Sequence, residues 1–286
     1  MTTPSAGATG TLITVAPTGA EHAKADLPQL PTTLEEVIDT ARRCEAAGAS
    51  LIHLHLRDAE HRPTLDAGLL REAVRAVREA TDLVVQLSTG GSVHDPLEQR
   101  LTVLDAEPDS CSLTCGTTNF GDDVFLNPWP FMSALYVQAQ EREVVPEFEL
   151  FDLGHVHALR RLLDTHGLPF GGAVHVDFVT GVPGGMPATT AALMAGVAML
   201  PAEVTSWSAT GIGRGHLPVM AAALSAGGHL RVGMEDNVVL RRGRLVEHND
   251  ELVARAAELA TLLQRPPLSC EDARGLLGVK DRRSRG

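Results

Sequence analysis

Eight short runs rich in apolar and β-branched residues recur along the chain, at 11–18, 50–58, 83–89, 110–115, 144–151, 173–181, 204–211 and 229–235. After each comes a stretch with apolar residues at helical spacing, at 33–47, 66–80, 96–105, 130–141, 155–166, 189–200, 217–226 and 249–264. Thr33 and Glu36 form a Thr-x-x-Glu capping box at the start of the first helix, and Gly48 supplies the residue wanted just past its end. Strict β-then-α alternation predicts an α/β fold of the (β/α)8 TIM-barrel type, with functional groups gathered at the carboxyl ends of the strands. An open doubly wound sheet is the competitor. No GxGxxG follows the first strand, however, and no GxxxxGK[ST] occurs anywhere.

The 286 residues suit one barrel domain, with a short flexible N-terminal segment and a basic C-terminal tail that begins at Asp281. No apolar run reaches the roughly 20 residues that span a bilayer, and no signal-peptide pattern opens the chain, so a cytoplasmic protein is expected. A net charge of -12 argues against nucleic acid as a partner. The four cysteines lack CxxC spacing and read as buried thiols in a reducing compartment. Lysine changes the picture more. Only Lys24 and Lys280 occur, in a loop and near the tail, so no strand can supply a Schiff-base amine and carbonyl activation falls to a metal.

In Leu51-Ile-His-Leu-His-Leu-Arg-Asp58, period-2 alternation points His53 and His55 to one face. A pair of satisfied core histidines explains that pattern as well as a metal does. On the last strand Arg231, Gly233 and Glu235 share a parity, and Asp236 follows where the chain leaves the barrel. His53, His55 and Glu235 would make a His₂-carboxylate set with an open position, as in catalytic rather than structural zinc sites. Interior-parity polar residues add to this, namely Ser88, Ser112 with Thr114, Glu147 with Glu149, and His175 with Asp177. Barrel interiors are ordinarily filled by branched apolar residues, so such polarity suggests a site.

The segments Thr18-Gly-Ala-Glu21, His53-Leu-His-Leu-Arg57, Gln86-Leu-Ser-Thr-Gly-Gly91, Asn119-Phe-Gly-Asp-Asp123, Val145-Pro-Glu-Phe-Glu149, Gly181-Val-Pro-Gly-Gly-Met186, Gly211-Ile-Gly-Arg214 and Glu235-Asp-Asn237 occur in this order. In them the chain resembles the β-keto acid cleavage enzymes. The resemblance implies a zinc-bearing barrel, a homo-oligomer (tetramer or dimer), and acyl exchange in which a β-keto acid and acetyl-CoA become acetoacetate and a new acyl-CoA. It implies zinc on His53, His55 and Glu235. Asp236, steered by Arg231, is implied as the base that takes the proton between ketone and carboxylate. Ser88, Gly91, Ser112 and Glu149 match positions that hold substrate or assist proton transfer, with Thr114 beside them. Glu21 matches the residue that meets an ammonium group, implying a substrate such as 5-amino-3-oxohexanoate and a place in lysine degradation.

Two positions depart from the family pattern: Thr114, where an amide side chain is expected, and Gly215, where a bulky aromatic is expected after Arg214. A metal-dependent hydrolase of the amidohydrolase type is the rival enzyme, although its HxH usually stands on the first strand. A structural zinc in a binding barrel is the non-enzymatic rival and requires four protein ligands.

Overall fold

The computed structural model describes residues 10–282; the N-terminal segment 1–9 and the last tail residues 283–286 lie outside them. Eight parallel strands close into a barrel: β1 (Ile13–Val15), β2 (Leu51–Leu54), β3 (Val84–Leu87), β4 (Ser110–Thr114), β5 (Val145–Leu150), β6 (His175–Thr180), β7 (Ser206–Gly211) and β8 (His229–Val232). Each pairs with its neighbours in chain order, and β8 closes on β1. The predicted (β/α)8 architecture is the observed one.

Helices α1 (Leu34–Ala47), α2 (Ala67–Ala80), α3 (Leu97–Leu101), α4 (Trp129–Glu141), α5 (Leu153–His166), α6 (Thr190–Met199), α7 (His216–Ser225) and α8 (Asn249–Leu262) surround the barrel. Helix α1 starts where the capping box places it: the Thr33 side chain accepts from Glu36 N–H and the Glu36 carboxylate accepts from Thr33 N–H. It ends at Gly48 in the left-handed region. Between helices and strands, apolar side chains such as Val37, Leu70, Val77, Ile52, Val85, Leu135 and Leu159 are buried in one continuous cluster. Among the described residues, no helix is long and apolar enough to cross a membrane.

The outer strands are shorter than the sequence pattern suggests. β2 stops at Leu54 and β8 at Val232, which leaves His55, Glu235 and Asp236 just beyond the barrel rim. Residues past β2, β4 and β8 fold instead into two-stranded antiparallel ribbons, Leu56–Arg57 with Pro63–Thr64, Thr118–Phe120 with Asp123–Phe125, and Val239–Arg241 with Arg244–Leu245. All three ribbons follow strands, so they wall the carboxyl-end face.

The opposite end is sealed by a ninth helix that the apolar spacing did not reveal, α9 (Cys270–Leu277). Leu268, Ala273, Leu277 and Val279 pack there against Leu12, Leu51, Val84 and Val145 from the amino ends of the strands. Arg274 donates to the carbonyls of Asp82 and Leu83 and to Asp109 Oδ2. The tail's first arginine is not a solvated end either: Arg282 is buried and donates to the carbonyls of Arg142 and Glu143 at 2.8 Å. A guanidinium with backbone carbonyls in reach docks a segment that its charge alone assigns to solvent. Because Leu277 is buried in this plug, Leu277→Ala should cost about 2–4 kcal/mol in urea unfolding. Unchanged stability would show that α9 seals nothing.

Candidate active site

His53 is fully buried inside the rim, opposite Gln86 on β3. Gln86 Nε2 donates to Ser110 Oγ at 3.1 Å, so its Oε1 accepts from His53 Nδ1–H at 2.5 Å. That contact fixes the ring tautomer and leaves the Nε2 lone pair facing inward. Burial, reinforced by the Arg231 charge, drives His53 down to about 3, and burial also lowers His55. Both imidazoles are therefore neutral at ordinary pH, as ligation requires.

Glu235 meets them from the far end of the chain. Its Oε1 lies 3.9 Å from His53 Nε2 and 3.6 Å from His55 Nε2. Two close approaches put it there. The backbone at Gly233 passes so near Ala16 that a Cβ would sit 1.9 Å from the Ala16 carbonyl oxygen, and a Cβ on Gly19 would meet Glu235 Cγ at 2.5 Å. A larger residue at Gly233 would collide with backbone, and one at Gly19, in the left-handed region, would push the Glu235 side chain from its place.

Ligand atoms of His53, His55 and Glu235 all lie within 4.8 Å of one another. Glu235 Oε2 is buried and has no hydrogen-bond partner among the described residues. Burial raises the Glu235 carboxyl, but Arg231 and the two imidazoles lower it further, so it is held ionised. Two imidazole lone pairs and an anionic oxygen converging without a proton between them fit a divalent cation, and two nitrogen donors favour zinc over calcium or magnesium. Three residues, not four, converge here.

Arg231, on β8 and 6% exposed, ties the carboxylates together. Its Nε and one terminal nitrogen donate to Asp236 Oδ2 at 3.1 Å and Oδ1 at 3.0 Å. The other terminal nitrogen donates to Glu149 Oε1 at 3.1 Å, and Glu235 Oε1 accepts a short contact from the first. Burial pushes Asp236 upward, opposed by Arg231 and assisted by Glu235, and burial likewise raises Glu149.

A cavity of about 850 Å³ opens above, lined by His53, His55, Ser88, Gly91, Glu149, Arg231, Glu235, Asp236 and, on the loop after β1, Glu21. Ser112 and Thr114, grouped with the substrate-holding residues in the sequence, are not on its wall. Ser112 Oγ accepts from Thr89 N–H at 3.2 Å, and Thr114 Oγ1 donates to Glu149 Oε2 at 2.7 Å. Thr114 thereby orients Glu149, which does face the cavity, and Ser112 fixes the backbone at Thr89, between the lining residues Ser88 and Gly90.

Sequence reasoning passed over two contributors. Gln86, which sets the His53 tautomer, was signalled only by sharing the parity of Ser88 on the neighbouring strand. Arg57, buried, donates to the carbonyls of Gly19 and His22 and fixes the loop that carries Glu21. The missing aromatic at Gly215 also finds its reason, since a Cβ there would stand 2.1 Å from Ala188 Cβ. Phe120, Phe125 and Phe151, with centroids 6.0–6.4 Å apart, supply an apolar wall instead.

The family model for beta-keto acid cleavage enzyme matches residues 11–279. The chain is 37% identical over 270 residues to the 3-keto-5-aminohexanoate cleavage enzyme of Acetoanaerobium sticklandii, covering 94% of this chain and 98% of that one. It is 33% identical over 271 residues to the 3-oxoadipate:acetyl-CoA acetyltransferase of Cupriavidus necator, covering 94% of each. Among solved structures, apo ObcA superposes with a TM-score of 0.79 at 20% identity, over 88% of this chain and 66% of that chain, a likeness of fold.

The carboxylate cluster yields its own test. Arg231→Met removes the one cation shared by Asp236, Glu235 and Glu149, and should cost about 3–5 kcal/mol in urea unfolding. Adding Glu149→Gln to that variant should return part of the loss; no loss in the single variant would mean the cluster does not depend on Arg231.

Proposed function

Because the chain belongs to the β-keto acid cleavage enzyme family, we propose that it exchanges acyl groups between a small β-keto acid and acetyl-CoA, giving acetoacetate and a new acyl-CoA. The carrying observation is the placement of Asp236, in a bidentate pair with Arg231, directly beside the His53, His55 and Glu235 cluster. Those three residues would hold zinc, which when bound supplies Lewis-acid stabilisation of the negative charge that develops on the substrate ketone.

The rest is the work of the chain's own groups. Asp236 takes the proton from the carbon between ketone and carboxylate, and Arg231 holds both carboxylate oxygens so that the base cannot rotate away. Glu149, fixed by Thr114, anchors the guanidinium from the other side. Ser88 and Gly91 hold the substrate on the cavity wall. The resulting carbanion attacks the acetyl-CoA carbonyl and the CoA thiolate leaves. That thiolate then adds to the original ketone, the carbon–carbon bond breaks, and Asp236 returns its proton to acetoacetate. Atoms balance, and no water is consumed.

Glu21 assigns the substrate class. It lines the cavity, and although Arg57 feels its charge, the Arg57 nitrogens donate to backbone carbonyls, so the Glu21 carboxylate keeps its hydrogen-bonding capacity for a cationic keto acid such as 5-amino-3-oxohexanoate. That substrate would give the enzyme a part in lysine degradation in the cytoplasm. Exposed apolar side chains such as Leu262 on α8 and Met199 on α6 favour a homo-oligomer.

Purified protein should carry zinc and form acetoacetate from acetyl-CoA and a β-keto acid, and His55→Ala should lose the metal. Asp236→Asn should slow turnover on the order of 10²–10⁴-fold with zinc content intact. Undiminished turnover in that variant would end its role as the base. Glu21→Gln should weaken kcat/KM for an amino-bearing keto acid about tenfold relative to its neutral homologue; an unaltered ratio would move the cation site elsewhere.

A further inference from the structure

We infer that Arg214, Arg241 and Arg242 form a second binding element at the cavity mouth that grips the phosphates of the CoA nucleotide. This rests on the acyl exchange proposed above but concerns different residues.

The chain carries 24 basic against 36 acidic residues, yet three arginines line one stretch of one cavity rim. Arg214 lies on the turn after β7, and Arg241 and Arg242 lie at the tip of the ribbon after β8. All three are exposed, and none makes an ion pair among the described residues.

Nearby arginines behave differently. Arg244 pairs with Glu251, and Arg255 donates to the Leu240 carbonyl and stands 3.0 Å from His216 Nε2. Asn237 Nδ2 also donates to Val239 O at 2.8 Å, and Val246 N–H to Val238 O at 3.0 Å. These contacts mount the ribbon on α7 and α8, so its tip is held in place. Within the ribbon Arg241 stands directly opposite Arg244, a like-charge pairing that disfavours folding. Glu251 relieves one member, and no acid among the described residues pairs with the other. Cations kept together at a cost to the fold, on a fixed mount, point to an anionic ligand.

The β-keto acid carries too little negative charge to answer three guanidiniums, whereas CoA ends in a pyrophosphate and a 3′-phosphate, which guanidinium forks match well. Loops after the seventh and eighth strands are also where barrels commonly take phosphate. The same cavity is also lined by Ile212, Leu217 and Val239, apolar side chains suited to the pantetheine arm.

The test compares acetyl-CoA with acetylpantetheine, which lacks every phosphate. In the wild type, kcat/KM should favour acetyl-CoA; in Arg241→Ala/Arg242→Ala, that preference should fall about 10- to 100-fold. The Lys/Lys variant should keep most of it, and adenosine 3′,5′-bisphosphate should compete with acetyl-CoA in the wild type and the Lys/Lys variant but not in the Ala/Ala variant. Arg214→Ala alone, checked by thermal melting, covers the case of a misfolded double variant. An unchanged donor preference overturns the inference while leaving acyl exchange intact. If no exchange is seen with any donor, titration with CoA decides separately: binding weakened at least tenfold in the double variant supports the phosphate site, and equal binding overturns it.

Discussion

One buried guanidinium organises the carboxyl-end face of this barrel. Arg231 is the common partner of Asp236, Glu235 and Glu149, three acids drawn from β5 and from the turn after β8. Without a cation between them, three carboxylates in a low-dielectric pocket would repel and take up protons. With it, Glu235 stays ionised beside two neutral imidazoles and Asp236 is pinned in one orientation. Glu235 is the ionised acid that faces His53 and His55, and its buried oxygen without a hydrogen-bond partner among the described residues is what a divalent cation would satisfy. In the proposed reaction Arg231 and a metal would divide the task, one holding Asp236 and the other serving the substrate oxygens.

Positions beyond the strand ends matter as much as those within them. His55, Glu235 and Asp236 all lie past the last barrel residue of their strands, so their placement depends on turns rather than on the ladder. Gly233 and Gly19 let the β8 turn and the β1 loop touch, Glu235 N–H donates to Ala16 O at 3.2 Å, and Arg57 ties the β1 loop to the rim. A rigid scaffold supplies His53 and Arg231, and close-packed turns bring the remaining groups to them.

That division explains what could be read beforehand. Alternating runs and capped helices follow from local periodicity, so the eight strands and the shared face of His53 and His55 were legible. Parity on the last strand offered Glu235, from the opposite end of the chain, as a third ligand, and the family resemblance implied the same set. Which hydroxyls are left for a ligand was not legible. Parity puts Ser88, Ser112 and Thr114 alike inside the barrel, but Thr114 is engaged by Glu149 and Ser112 by Thr89, and of the three only Ser88 lines the cavity. Helix α9 escaped because its apolar side is set by the barrel floor it covers, and Arg282 because its partners are backbone carbonyls that no composition reveals.

The polar layer beneath the site follows from the same electrostatics. Glu147 on β5 and His175 on β6 stand opposite each other, with Glu147 Oε2 at 3.4 Å from His175 Nε2. Burial, with Asp177 and Glu149 adding to it, raises the Glu147 carboxyl, while burial lowers His175 to about 3. Both are therefore uncharged where a salt bridge would otherwise be drawn, and His175 is satisfied by Ser206 Oγ at 2.7 Å and Ser208 Oγ at 2.9 Å. Arg231 reaches this layer too, opposing the burial that raises Glu147 and Asp177. In this layer Asp177 Oδ2 accepts from Thr210 Oγ1 at 2.6 Å, while Asp177 Oδ1 and Glu147 Oε1 are buried without a hydrogen-bond partner among the described residues, so both layers share Arg231 as the cation that opposes proton uptake by their acids.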